Sequence, residues 1–271
     1  MSDPPPMPIL YLPHGGGPLP LLGDPDHQSL ADWLAALGTQ LPRPRAVLVI
    51  SAHWEQTQPT LTSGSRPALI YDYYGFPAES YRIQYPAPGA TEMAGQIADA
   101  LGKQGFAAQT DATRGFDHGL FVPLKLIYPQ ADIPCLQLSL LASLDPAAHI
   151  ALGQALAELR HQGVLIVGSG MSFHNLRALL APSARAAAGE SAAFDQWLNR
   201  VCCDPLLSAT QRRQALIDWE QAPDARFCHP RAEHLLPLHV CMGAALDNGG
   251  CAHGLYRSRL MGQWVSAFRW G

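Results

Sequence analysis

Three short apolar runs in this chain lead to a histidine set among turn-forming residues: Pro8-Ile-Leu-Tyr-Leu-Pro-His14, Ala46-Val-Leu-Val-Ile-Ser-Ala-His53 and Val164-Leu-Ile-Val-Gly-Ser-Gly-Met-Ser-Phe-His174. An apolar run of roughly four to six residues between turn signals reads as a strand buried on both faces, the kind that builds parallel sheets. In open α/β sheets, ligands gather in the crevice outside the carboxyl ends of such strands. Imidazoles delivered there from several strands point to a metal or acid–base site, and so to an enzyme.

The segments between these runs carry helical periodicity. Apolar residues at Leu30, Trp33, Leu34 and Leu37 predict a helix over 27–40, and Met93, Ile97, Ala100 and Leu101 predict another over 91–105. A third is expected from Asp145, as N-cap with Pro146 behind it, to about His161. Later helices are expected over 190–201, 208–219 and 233–246, and 133–140 reads as a strand. The segments 254–260 and 263–270 alternate and contain aromatics, so they read as a hairpin of edge strands. Strands alternating with helices imply an α/β fold: a central, mostly parallel sheet covered by helices on both faces. Hydrophobic residues at 48% and charged residues at 15% suit a well-covered core, and no linker divides the 271 residues, so residues 1–271 are read as a single domain.

Other classes are excluded by composition. A net charge of −4 without basic runs gives no footprint for nucleic acid. No apolar stretch approaches the roughly 18 residues of a membrane span, and Met1-Ser-Asp-Pro-Pro-Pro does not resemble a signal peptide. A cytoplasmic protein is expected, with its six cysteines reduced; none is paired at zinc-motif spacing.

Further histidines stand in suggestive settings. Phe116-Asp117-His118-Gly119 opens an apolar helix, with Asp117 as cap and His118 facing the crevice. Gly15-Gly16-Gly17 after His14 permits close backbone approach, but the pattern is not that of a phosphate-binding loop. Glu55 shares a face with His53 if the strand continues, and can orient it from behind. In His229-Pro-Arg-Ala-Glu-His234-Leu-Leu-Pro-Leu-His239, a helix is expected to begin near Ala232, with His234 in its first turn. His239, five residues on, faces elsewhere and is assigned to the core or surface. Glu233 is a rival ligand to His234. His27, His149, His161 and His253 are assigned to the surface. The irregular stretch 59–88 holds five tyrosines, at 71, 73, 74, 81 and 85. It is read as an insertion with its own apolar cluster or as a wall for an aromatic substrate, with Tyr74 lining that wall.

Taken in order, PHGGGP, SAHW, FDHGLFVPL, GSGMSFHNL and HPRAEHLLPLHVCMGAA resemble the DODA-type extradiol ring-cleavage dioxygenases, in the class III superfamily typified by the protocatechuate 4,5-dioxygenase β-subunit. The motifs run from residue 13 to residue 245. The resemblance implies that His14, His53 and His234 bind the metal, that His174 is the acid–base residue, that His118 lies beside substrate and O₂, and that His229 belongs to the same pocket. The three glycines depart from the Gly-Ser-Pro-like residues usual there, which makes Gly16 a position that shapes the substrate pocket.

The implied activity is ring opening of a catechol, DOPA-like catechols included, next to the hydroxyls with O₂, giving a muconic semialdehyde. Three neutral imidazoles form a variant of the facial oxygenase triad. Fe(II) is the metal expected in the active enzyme, and Zn(II) in purified protein, since zinc outcompetes ferrous iron in the usual affinity order. An imidazole, whose ordinary pKa is about 6.5, can both accept the catechol proton and return one. The rivals are zinc-dependent hydrolysis at the same three histidines and a non-enzymatic binding protein on the same fold. Oligomeric state is left open.

Overall fold

The computed structural model describes residues 5–180 and 188–271. Eight strands, β1 (Ile9–Pro13), β2 (Ala46–Gln56), β3 (Thr60–Thr62), β4 (Gln109–Asp111), β5 (Cys135–Leu141), β6 (Val164–Gly170), β7 (His253–Leu260) and β8 (Gln263–Trp270), form one sheet in the order β4-β3-β5-β2-β6-β1-β8-β7. The central run β5-β2-β6-β1 is parallel throughout, while β3 joins β5, β8 joins β1 and β7 joins β8 in the antiparallel sense. Every residue of β1, β5 and β6 is buried, and these strands are largely apolar, with Gln137, Ser139 and Ser169 the buried polar exceptions. The structure bears out the expected α/β fold.

The helices are α1 (Gln28–Gly38), α2 (Thr91–Lys103), α3 (His118–Ile127), α4 (Pro146–Leu156), α5 (Leu176–Leu180), α6 (Gly189–Cys203), α7 (Ala209–Ile217), α8 (Ala225–Cys228) and α9 (Leu236–Ala244). Neighbouring residues of β6 show how they sandwich the sheet. Gly168 backs onto Cys241 and the Pro237 carbonyl of α9, while the Ser169 hydroxyl donates to the Gly119 carbonyl of α3. Successive residues of a strand face opposite ways, so α3 and α9 cover opposite faces. The caps are local chemistry: the Asp145 carboxylate accepts from the amides of Ala147 and Ala148, and Gly163 leaves the following turn at φ 77°.

Four expectations are corrected. First, β8 is not an edge strand; it lies between β1 and β7, and β7 alone takes that edge. Second, α9 begins at Leu236, so His234 sits in the preceding turn and not in a helical turn. Third, His27 and His149 are fully buried, not superficial. Their ring nitrogens are satisfied by backbone groups and one carboxylate: His27 Nε2 accepts from the Gly16 amide and its Nδ1 meets Asp24, while His149 Nε2 accepts from the Leu141 amide and its Nδ1 meets the Asp145 carbonyl. A histidine with both nitrogens matched is a stable core residue. Fourth, His53 lies inside β2 and not past its end. All six cysteines are free thiols. Among the described residues, no helix is long and apolar enough to cross a membrane.

Candidate metal centre and its histidines

The site forms at the carboxyl ends of β1, β2 and β6. His14 follows β1 directly, and its amide donates to the Gly170 carbonyl at the end of β6 (3.2 Å). In β2, Ile50 pairs with Leu138 and Glu55 with Leu140, so the residues between bulge out of register with β5. The bulge carries His53 toward the crevice. His234 is fixed through its backbone: its carbonyl accepts from the Tyr11 hydroxyl of β1 (3.0 Å) and from the Met171 amide beyond β6 (3.0 Å). Gly170 allows this approach, since a Cβ there would stand 2.2 Å from that carbonyl oxygen. The His174 amide donates to the Cys228 carbonyl (2.9 Å), and His118 opens α3 behind the Asp117 cap.

Asp117 is buried and welded to the strands. Its carboxylate accepts from the Ser51 hydroxyl of β2 (2.7 Å), from the Gly119 amide (3.0 Å) and from Arg114 (3.1 Å), whose guanidinium lies over the Trp54 ring. Gly119 is equally tied to the site, because a Cβ there would fall 2.6 Å from Ser51 Oγ and 3.2 Å from His53 Cδ2. Gly119→Ala is therefore expected to lower stability by about 1–3 kcal/mol, the usual cost of overpacking, as measured by denaturant unfolding. A loss within about 0.5 kcal/mol, the range of an ordinary surface change, would show that this corner yields freely.

Five imidazoles meet in the crevice. His14 has ring centroids 4.8 Å from His53, 5.0 Å from His118 and 5.2 Å from His234. His118 lies against His53 at 3.9 Å, and His174 stacks on His234 at 3.3 Å with 15° between planes. The ligand nitrogens of His14, His53 and His234 all lie within 4.8 Å of one another. Their Nδ1 atoms are turned outward: that of His14 to the Gly15 carbonyl (2.8 Å), that of His234 to Glu233 Oε1 (3.0 Å), and that of His53 toward Asp72 Oδ2 (3.8 Å). The Gly15 carbonyl and Glu233 place the ring protons of His14 and His234 on Nδ1 and leave bare lone pairs on their Nε2 atoms; Asp72, at 3.8 Å, is too far to do the same for His53. Burial first, and the neighbouring imidazoles second, push all three pKa values well below the histidine range, so the rings are neutral near pH 7. His14 Nε2 and His53 Nε2 lie in hydrogen-bond contact at 3.2 Å, and buried His234 Nε2 has no partner. Three converging nitrogens, one of them orphaned, suit a cation among them, so the residues fit a divalent metal.

Two carboxylates stand behind the rings. Glu233 Oε1 takes the Nδ1 of His234 and also that of His174 (3.2 Å). Its other oxygen faces Arg231 (3.5 Å), which is clamped in turn by both oxygens of Glu55 (2.5 and 2.6 Å). Asp72 Oδ1 takes the Nδ1 of His118 (2.8 Å) and its backbone amide (3.1 Å). Burial raises both carboxyls, but the hydrogen bonds and histidine partners outweigh it, and each lies below its ordinary value and is ionised. Among the described residues, Glu55 is linked to the centre through Arg231 and Glu233.

The remaining expected residues fall less centrally. Tyr74 is 91% exposed, whereas Tyr73 is buried with its ring 5.9 Å from His118. The hydroxyl of Tyr73 is held by the Ser80 carbonyl, and its ring packs with Phe76, Tyr81 and Phe121, which leaves the next side chain outside. Gly16 lines the turn beyond His14, its amide given to His27 (2.9 Å). His229 is fully buried against Phe194 and Trp219, with Nε2 on the Ser172 carbonyl (3.0 Å); it supports the turn carrying His174 and does not open on the crevice. Burial lowers its pKa to about 3. His239 is a core residue, its ring nitrogens meeting the Leu235 and Leu216 carbonyls. Asp72, absent from the expected set, also reaches the histidines of the crevice. Its only sequence signal was the alternation Tyr71-Asp72-Tyr73, in which two packed tyrosines turn the residue between them the other way.

The chain is similar to several known proteins. The chain is 41% identical to "Dioxygenase tasH" of Hapsidospora irregularis, over 97% of this chain and 85% of that protein. It is 42% identical to a 4,5-DOPA dioxygenase extradiol of Beta vulgaris, over 86% of this chain and 85% of the other. A protein of the same name from Escherichia coli K12 is 34% identical over 88% and 85%. The crystal structure of an uncharacterized protein from Escherichia coli K12 superposes with a TM-score of 0.76 at 29% identity, covering 98% of this chain and all of that one. Residues 7–269 match the family model described as the catalytic LigB subunit of aromatic ring-opening dioxygenase, and the chain belongs to that family of extradiol ring-opening oxygenases.

Proposed function

We propose that this protein opens the ring of a catechol beside its two hydroxyls, using O₂ and a divalent metal held by His14, His53 and His234. The observation that carries the reading is the set of three neutral imidazoles whose ligand nitrogens converge within 4.8 Å of one another, with buried His234 Nε2 left without a partner. Ferrous iron bound there supplies charge that acidifies the catechol hydroxyls and redox capacity that links the catechol to O₂. The protein's own groups then handle protons and orientation. His174, held at Nδ1 by Glu233, presents its other nitrogen to the crevice and takes a proton from the bound diol, returning it as the ring opens. His118, held at Nδ1 by Asp72, faces the same space from the opposite side and steadies substrate and O₂. Tyr73 closes the wall beside it. One ring C–C bond breaks, both atoms of O₂ enter the product, and a muconic semialdehyde results. Since several relatives carry the name 4,5-DOPA dioxygenase extradiol, DOPA is the first catechol to test.

The test is oxygen uptake by protein stripped of metal and reloaded anaerobically with Fe(II), on catechol and DOPA, with the product followed by its absorbance. One O₂ consumed per ring opened is expected, with activity lost on chelation and regained with Fe(II). Metal-loaded protein that consumes no oxygen with any catechol would sink the proposal and leave zinc-dependent hydrolysis as the better account.

A further inference from the structure

The two carboxylates behind the site are used alike. Glu233 serves one metal-side ring, His234, and one proton-side ring, His174; those two rings are stacked. Asp72 faces one metal-side ring, His53, and one proton-side ring, His118; those two are also in ring contact. The second arrangement comes from a different part of the chain, the irregular stretch between β3 and α2. There the Ile70 amide donates to the Phe116 carbonyl (2.8 Å), which seats the stretch against the residues leading into α3. On either side of Asp72, the Tyr71 hydroxyl is held by the Ile83 carbonyl and the Tyr73 hydroxyl by the Ser80 carbonyl (2.7 Å each), and both rings lie against Phe121. Asp72 is thus braced from both sides. Its oxygen Oδ1 fixes His118 at two points, ring and backbone, while Oδ2 stands 3.8 Å from His53 Nδ1.

We infer that Asp72 is a positioning residue for the ring-opening reaction, holding His118 toward the substrate and His53 toward the metal with a single carboxylate. The inference rests on the proposed function for its turnover arm but not for its metal arm. Outer carboxylates that orient metal-binding imidazoles typically contribute 10–100-fold in metal affinity or activity. Because Asp72 is hydrogen-bonded to one ring and stands within ionic reach, 3.8 Å, of the other, its loss has two effects that separate: one on the metal through His53 and one on turnover through His118.

The variants are Asp72→Asn and Asp72→Ser, each alone and with His118→Ala, with folding checked by circular dichroism. Zn(II) affinity of the metal-stripped proteins is measured by calorimetry, and kcat and KM for DOPA by oxygen uptake at saturating Fe(II). Both single variants are expected to bind Zn(II) about 10-fold or more weakly, and to lower kcat by a similar factor even when saturated with metal. In the His118→Ala background, the same change should cost kcat less than about threefold, because the two share one path, while Zn(II) binding still weakens. Zinc affinity and kcat both within about twofold of wild type in a folded variant would overturn the inference. So would full additivity with His118→Ala. If wild type binds Zn(II) but opens no catechol, the proposed function falls, and the Zn(II) arm alone decides the role of Asp72.

Discussion

His174→Ala is expected to keep the metal and lose the chemistry. The His174 ring stacks on His234, and its outer nitrogen is tied to Glu233, but it stands outside the trio His14, His53 and His234. On the proposed assignment, removing it takes away no ligand. It removes the group best placed to relay a proton, whose usual contribution is 10²–10⁴-fold. Metal content after Fe(II) or Zn(II) loading should match wild type, while kcat for oxygen uptake falls by about that factor. The substitution also opens space over His234, so KM for the catechol is expected to change less than kcat. A variant that loses its metal along with its turnover would move His174 into the ligand set.

His14→Ala is expected to abolish both. His14 is 2% exposed and sits at the end of β1, its ring among those of His53, His118 and His234. With it gone, two imidazoles remain, and facial three-point coordination is lost. Metal affinity should fall by more than the roughly 10–100-fold that losing an outer partner costs, and oxygen uptake should fall to background. His234→Ala should behave in the same way. Elemental analysis after dialysis, run beside oxygen uptake, separates these variants from His174→Ala. If His14→Ala retained a full equivalent of metal while His174→Ala retained none, the two roles would be exchanged.

The parts of this site written as local patterns were legible in the sequence. Buried parallel strands have few polar residues to hide, so β1, β2 and β6 stand out as apolar runs, and the histidines after or within them fall where strand ends must converge. Asp117 and Asp145 are visible as caps because a cap is a matter of two or three residues. Asp72 was hidden because its meaning depends on His118, 46 positions away, and the stretch around it has no periodicity to betray which way a side chain turns. The burial of His27 and His149 was invisible for a similar reason, since their partners include backbone amides, which are the same in every sequence. Tyr73 and Tyr74 differ by one step along an irregular chain, and only the packing of Phe76, Tyr81 and Phe121 selects between them. The interior position of β8 follows from its pairing with β1, a partner more than two hundred residues away that alternation alone cannot name.

That last pairing sets a timetable. The strand leading to His14 is synthesised well before β6 and β8, yet Ile9 takes its neighbours from Ile166 on one side and Trp270 on the other. Contacts so distant along the chain are slow to form, because the intervening loop must be closed before they return any stability. During translation β1 must therefore wait, unpaired, until β6 has emerged, and its second flank stays open until β8 follows. His14 cannot be fixed before then, so the three-histidine trap is completed late, and the metal is expected to enter a chain whose sheet has already closed.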